Sequence, residues 1–264
     1  MIYLKTDEEI ELLRKANLLV SATLAEIAKN VRPGVTTRQL DTLAEQFIRD
    51  HGAVPTFKGF PNPYGSAFPA SICTSVNEIV VHGIPDDRPL EDGDIVSVDC
   101  GTLLNGFCGD SCYTFCVGEV APEVKALLVT TKASLYRAIE AALPGKRLGD
   151  IGYAVQSLCE SEGYGVVREF VGHGIGHEMH EDPQVPNYGS RGTGKQLKNG
   201  LCIAIEPMIT LGSPAIVMND DRWSIATRDG KVAAHFEHTI AIHHGKADIL
   251  SSFEQIEQIE RQQN

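Results

Sequence analysis

Two Pro-Gly breaks, Pro33-Gly34 and Pro144-Gly145, are followed by the same spacing of landmarks, and this repeat constrains the fold more than composition does. From Pro33 the chain reaches Leu40, Phe47 and Gly52, and from Pro144 it reaches Ile151, Leu158 and Gly163, at offsets of 7, 14 and 19 in both cases. Helical periodicity precedes each break. Thr6 and Glu9 form a capping box before Ile10, Leu13, Ala16, Leu19, Val20, Leu24 and Ile27, predicting a helix that runs to Pro33-Gly34. A second helix is predicted from about Thr37 to Asp50. The stretch ALLVTTKASLYRAIEAAL then leads to Pro144-Gly145, with a further helix to about Glu162.

The strands repeat as well. LEDGDIVSVD, residues 90–99, aligns with LKNGLCIAIE, residues 197–206: each has a Leu, a Gly three positions later and a strand ending on an acid, Asp99 in one case and Glu206 in the other. Two helix-helix-strand halves, about 10–115 and 120–245, related by a pseudo-twofold, are therefore expected within one domain spanning 1–264. Antiparallel hairpins with helices covering one face make the expected class α+β.

Composition narrows the classes. The chain has 264 residues, 42% hydrophobic and 22% charged, as in ordinary globular proteins. A net charge of −12 repels a phosphate backbone and argues against general nucleic-acid binding. The seven cysteines are scattered without a C-x-x-C pair, against a disulfide framework or a zinc ribbon. The opening stretch MIYLKTDEEIELLRKAN is acidic where a signal peptide is basic, and no run of 18 apolar residues occurs, so a cytoplasmic protein without a membrane span is expected.

Four acids fall within runs that read as β-strands. Period-2 alternation puts Asp99 on a face with Ser97, Asp110 with Cys108 and Cys112, Glu206 with Ala204, and Glu237 with His235 and Thr239. The opposite face carries Val96, Val98, Tyr113, Phe115, Leu201, Ile203, Ile205, Phe236 and Ile240 and is expected to pack under the helices. Asp99 lies directly across from Asp110 if the intervening loop is Leu103 to Gly106, whereas a two-residue turn at Asn105-Gly106 sets Asp99 opposite Cys112. Carboxylates converging in a cleft repel unless protonated or neutralised, and two divalent cations would balance four of them.

The segment GHGIGHEMHEDPQVPNYG holds His173, His177 and His180. HEMH is not H-E-x-x-H, and its spacing in a Gly-rich stretch does not give the two-ligand helix face of a zinc protease. His173, after the apolar FVG, is a candidate fifth ligand, and His82, at the end of another apolar run, is placed to face the same cleft.

These residues together resemble the type I methionine aminopeptidases of peptidase family M24, dinuclear metallopeptidases with the pita-bread fold. SVDCGTLLNGFCGDSCYTF, GHGIGHEMHEDPQVPNYG, IAIEPM and HFEHTI occur in that family's order and spacing, and the likeness covers nearly the whole chain. It implies Asp99, Asp110, His173, Glu206 and Glu237 as metal ligands, with Asp110 and Glu237 bridging two ions, and His82 and His180 as catalytic residues that do not bind metal. Glu206 is the implied proton carrier. The short interval from Glu206 to Glu237 and the lack of an N-terminal zinc-finger extension resemble the compact bacterial form. Met179 stands where an aromatic residue is common, and the 60–73 segment is longer than the usual pocket rim.

The oxygen-rich donor set favours Mn, Fe(II) or Co, with Zn the further candidate. Cys73, Phe68, Met179 and Trp223 are candidates for an apolar slot that accepts an unbranched thioether, with His82 and His180 also contacting substrate. The resemblance implies removal of N-terminal methionine before a small second residue, nascent peptides as partners, transient ribosome contact and a monomer. Two alternatives stand beside it. Xaa-Pro aminopeptidases and prolidases share the metal constellation but carry a large extra N-terminal domain that the 81 residues before His82 are not expected to supply, and a metal-free pita-bread binding module would have lost ligands that are intact here.

Overall fold

Helix α1, Asp7–Ala28, starts at the expected capping box: the Glu9 N–H donates to Thr6 Oγ1 at 3.3 Å and the Thr6 N–H to Glu9 Oε2 at 2.8 Å. It ends at Ala28, short of Pro33-Gly34, because Asn30 turns the chain back on itself, donating its side-chain amide to the Glu26 carbonyl at 3.0 Å and its N–H to that of Ile27 at 2.8 Å. The structure, a computed structural model, describes residues 2–63 and 65–263. Among the described residues four further helices follow: α2 Thr37–Asp50, α3 Pro122–Ala141, α4 Leu148–Ser161 and α5 Glu254–Gln263. No helix among the described residues is long and apolar enough to cross a membrane.

The spacing repeat reappears as a repeated hydrogen-bond pattern. Gly34 donates to the Leu90 carbonyl at 2.8 Å and Leu90 donates back to Val35 at 2.8 Å; Gly145 donates to Leu197 at 3.0 Å and Leu197 back to Lys146 at 2.8 Å. Each Pro-Gly break is thereby stitched to the segment entering the strand that carries Asp99 or leads to Glu206. The helices that follow, α2 and α4, have 14 residues each.

All strand pairs are antiparallel. Ile95–Leu104 is the spine of a four-stranded sheet, pairing with Ile72–Val76, Val54–Pro55 and Phe107–Cys116. A five-stranded sheet runs in the order Lys246–Ile249, His238–His243, Cys202–Ile205, Gly172–Gly174, Glu181–Val185. Two three-stranded sheets complete the framework. Val96, Val98, Tyr113, Phe115, Leu201, Ile203, Ile205, Phe236 and Ile240 share one buried cluster with helix residues such as Leu24, Leu40, Leu135 and Val155, as the alternation predicts. Helix α1 lies hard against the hairpin: a Cβ on Gly109 would meet the Ala16 carbonyl carbon at 2.5 Å, so only glycine permits this approach.

The hairpin between Ile95–Leu104 and Phe107–Cys116 uses the tighter of the two possible loops. Asn105 and Gly106 both have positive φ, 52° and 80°, and Leu104 pairs with Phe107 across a two-residue turn. Asp99 consequently faces Cys112, and Asp110 faces Gly101. The acids are diagonal neighbours on one face rather than direct partners.

Glu206 and Glu237 do not lie inside strands, contrary to the period-2 reading. Cys202–Ile205 belongs to the five-stranded sheet and Met208–Thr210 to a three-stranded one; Glu206 sits at the switch, where Pro207 has no N–H to give a ladder. Glu237 sits at the parallel switch between Ala233–His235 and His238–His243. Two neighbouring chain segments change sheet together, and the crossing points carry the acids.

Candidate functional site

A cavity of about 150 Å³ opens between the sheets, and its floor is formed by Asp99, Asp110, His173, Glu206 and Glu237. Backbone and polar contacts hold Asp110, Glu237 and Glu206 in place. Asp110 gives its N–H to the buried Asn17 side chain of α1 at 3.1 Å, and its carbonyl accepts the Thr239 hydroxyl at 2.9 Å. Glu237 gives its N–H to the Cys112 carbonyl at 2.9 Å, and its own carbonyl accepts the Ser111 hydroxyl at 2.6 Å. The Glu206 carbonyl accepts the Asn187 amide at 2.9 Å.

His173 is held between glycines because its neighbours leave no room for side chains: a Cβ on Gly172 would lie 2.3 Å from the Ala204 carbonyl oxygen, and one on Gly174 2.2 Å from that of Asp182. Its Nδ1 lies 2.9 Å from the Gly174 carbonyl, which assigns the proton to Nδ1 and leaves the Nε2 lone pair facing the acids. That nitrogen is 3.5 Å from Asp110 Oδ2 and 3.6 Å from Glu206 Oε1. One donor atom each from Asp110, His173 and Glu237 lie within 4.8 Å of one another.

The electrostatics call for cations. Burial raises the pKa of all four acids; repulsion from Asp110 adds to it at Asp99, Glu206 and Glu237, while hydrogen bonding with Asp99 partly offsets it at Asp110. No Lys or Arg is among the residues lining the cavity. Asp99 Oδ1, Asp110 Oδ1 and Glu237 Oε1 are buried without a hydrogen-bond partner among the described residues. Orphaned carboxylate oxygens beside an imidazole lone pair, with no cationic side chain to neutralise them, fit divalent metal ions as ligands.

Two more histidines flank the floor. His82 adopts φ 59°, a left-handed conformation that non-glycine residues rarely take, and Gly83 after it packs so tightly that a Cβ would come 2.2 Å from the Thr74 carbonyl oxygen. Its ring stands edge-on to Phe170 at 5.4 Å, and burial, with His180 adding, pushes its pKa down to about 4. His180 stands at the rim with one side open to solvent, 4.4 Å from the His173 ring and 5.4 Å from Phe60. Desolvation and His173 hold it below the ordinary imidazole range. Both rings are thus neutral near pH 7.

The apolar wall contains Phe68, Cys73 and Trp223, together with Phe57 and Phe60, which the sequence reading missed. Trp223 is fixed by its indole N–H, which donates to the Ser66 carbonyl at 2.9 Å, and by edge-to-face contact with Phe68 at 5.1 Å. Burial, with Asp99 adding, keeps the Cys73 thiol protonated well above its usual pKa, so it lines the wall as a small neutral group. The 60–73 segment is anchored by Asp41, which accepts the Ser71 and Ile72 N–H groups at 2.7 and 3.1 Å.

Met179 does not line the cavity. It is buried with Ile10, Leu13 and Phe107, its methyl group set against Gly101, one layer behind the floor. His177 also lies outside: it is exposed, bonded to the Gly106 carbonyl at 2.8 Å and packed on Phe107, in keeping with the rejection of a zinc-protease helix. His235, not singled out in the sequence, stands behind Glu206, with Nε2 3.6 Å from Glu206 Oε2. A second group, Asp7, His243 and His244, lies on the surface, where His243 is already paired with Asp7 at 3.0 Å.

Residues 11–244 match metallopeptidase family M24. The chain is 50% identical to the methionine aminopeptidase of Clostridium acetobutylicum over 252 residues, 95% of this chain and 99% of the relative. The crystal structure of Thermotoga maritima methionine aminopeptidase superposes with a TM-score of 0.92 at 43% identity, covering 96% of this chain and all of that one. A prolidase from Pyrococcus furiosus shares the fold at TM-score 0.76 and 23% identity, with 65% of its length covered.

Proposed function

Since the chain belongs to metallopeptidase family M24, we propose that it removes the N-terminal methionine of polypeptides whose second residue is small. The observation that carries this reading is the adjacency, in one cavity, of a five-donor floor and an apolar wall of Phe68, Cys73 and Trp223. An enzyme built this way binds an unbranched apolar side chain with its scissile bond over the donors. The similarity to methionine aminopeptidases over nearly the full length of both partners supports it over prolidase-like activity, for which only the fold speaks.

Asp99, Asp110, His173, Glu206 and Glu237 would hold two divalent ions, Mn, Fe(II), Co or Zn. The chemistry such ions would supply is Lewis acidity that lowers the pKa of water. Glu206 would accept a proton from the attacking water and return it to the leaving amine. His180, neutral and at the rim, donates to the carbonyl oxygen of the scissile bond as negative charge develops there, and His82 contacts the scissile amide nitrogen. Phe68, Cys73 and Trp223 exclude water from the methionine side chain, whereas Met179 shapes the floor from behind. The reading extends to one catalytic unit formed by both halves, working as a monomer in the cytoplasm on nascent chains, with transient ribosome contact.

The test is peptide hydrolysis with Mn, Fe(II), Co and Zn supplied in turn. Release of methionine from Met-Ala-Ser, with a Xaa-Pro peptide left intact, is the expected result. Cleavage of the Xaa-Pro peptide alone would transfer the chain to the prolidase-like group, and no cleavage with any metal would leave a binding module.

A further inference from the structure

We infer that His235 is a positioning residue that orients Glu206 by donating a hydrogen bond from Nε2 to Glu206 Oε2. The inference rests on the proposed role of Glu206.

Glu206 is bracketed by two imidazoles, one per oxygen: His173 Nε2 is 3.6 Å from Oε1, and His235 Nε2 is 3.6 Å from Oε2. The two rings do different work. His173 has its proton on Nδ1, toward the Gly174 carbonyl, so its Nε2 has a lone pair and no hydrogen to offer Glu206. His235 Nε2 is buried and has no hydrogen-bond partner among the described residues, and the Glu206 carboxylate is the acceptor within reach. A separation of 3.6 Å is just beyond a hydrogen bond, and a buried polar group left unpaired is destabilising. Polar contacts at active sites are often long without substrate and shorten in the working complex.

The backbone of His235 cannot drift. Its N–H donates to Thr114 Oγ1 at 3.1 Å, its carbonyl accepts the Thr114 hydroxyl at 2.6 Å, and it pairs with Met208 in the ladder. Thr114 is itself tied to Ser97 at 2.8 Å. Two strands of the first half therefore fix an imidazole that lies two residues before Glu237 and points at Glu206. Holding Oε2 from behind leaves Oε1 aimed at the cavity. That geometry suits a carboxylate that must both ligate and carry a proton.

Three substitutions separate the donor from the shape. His235→Gln places an amide nitrogen as many bonds from Cβ as Nε2 is, His235→Asn places it only as far as Nδ1, and His235→Phe keeps a ring without a donor. Two readouts are taken on proteins whose melting shows them folded: kcat and KM on Met-Ala-Ser with Mn, and calorimetric titration of metal-depleted protein with Mn. His235→Phe and His235→Asn are expected to lose about 10–100-fold in kcat and in Mn affinity with little change in KM, while His235→Gln stays within about threefold of the parent. Parent-like values in folded His235→Phe or His235→Asn, or a folded His235→Gln as impaired as either, would overturn the assignment. If the parent itself releases no methionine, the proposed activity fails, and the Mn isotherms still decide whether His235 supports Glu206.

Discussion

The Thr239 hydroxyl donates to the carbonyl of Asp110 at 2.9 Å, tying the strand His238–His243 to the strand Phe107–Cys116 that carries the acid. Asn17 holds the other side of the same residue through its N–H. Thr239→Val keeps the shape and leaves a buried acceptor unpaired, so it is expected to destabilise the protein by about 1–3 kcal/mol and to weaken Mn binding, with Thr239→Ser restoring both. Chemical denaturation and calorimetry give the two numbers. A Thr239→Val protein with parental stability and affinity would show that the tie does not position the acid.

Stability of the metal-free protein should fall as pH rises from about 7 to about 8. The four floor acids bind protons more tightly in the folded than in the unfolded state, so the stability they contribute is fully present below their unfolded pKa and is lost as pH climbs through the raised folded values. The histidines with lowered pKa work in the opposite direction, but only below about pH 6.5, and above it they are neutral in both states. Excess Mn should remove the slope, because ligation requires the deprotonated carboxylates and tightens with pH. Melting temperatures at several pH values, with and without Mn, check the sign; a metal-free protein that gains stability across this window contradicts the electrostatic reading.

His180→Ala should keep its metal content and lower kcat on Met-Ala-Ser by about 10²–10³, the usual loss on removing one donor to a developing oxyanion. Elemental analysis and steady-state kinetics on the same preparation are enough. Unchanged kcat with full metal content would remove His180 from the chemistry.

Trp223→Ala should act on binding. It removes the wall braced by Phe68 and by the Ser66 carbonyl, so KM for Met-Ala-Ser is expected to rise by about tenfold with Mn affinity unchanged. A loss of kcat at constant KM would place Trp223 elsewhere in the mechanism.

What the sequence revealed follows from what periodicity can encode. The Pro-Gly spacing located α2 and α4, the repeat of LEDGDIVSVD in LKNGLCIAIE located the strands leading to Asp99 and Glu206, and alternation separated the helix-covered face from the acid face, because all three depend on local chain geometry. The hairpin register did not follow, since Asn105-Gly106 suits a two-residue turn and also the centre of a longer loop; the left-handed Asn105 decided it. The strand breaks at Glu206 and Glu237 arise from exchange of partners between sheets, a tertiary event, and Pro207 was the local sign of the first. Phe57 and Phe60 reach the cavity through the path of a long loop. His235 shared a face with Glu237 in the alternation, yet only the fold brings it against Glu206.

The proposed site holds a pair of ions through donors from the Ile95–Cys116 hairpin and from the Glu206 and Glu237 segments together, and metal stoichiometry decides this. Titration of metal-depleted protein with Mn should show two ions per chain, and Asp99→Asn from the first half and Glu237→Gln from the second should each lose at least one of them. Two ions bound unchanged in both variants, or none bound by the parent, would contradict the account.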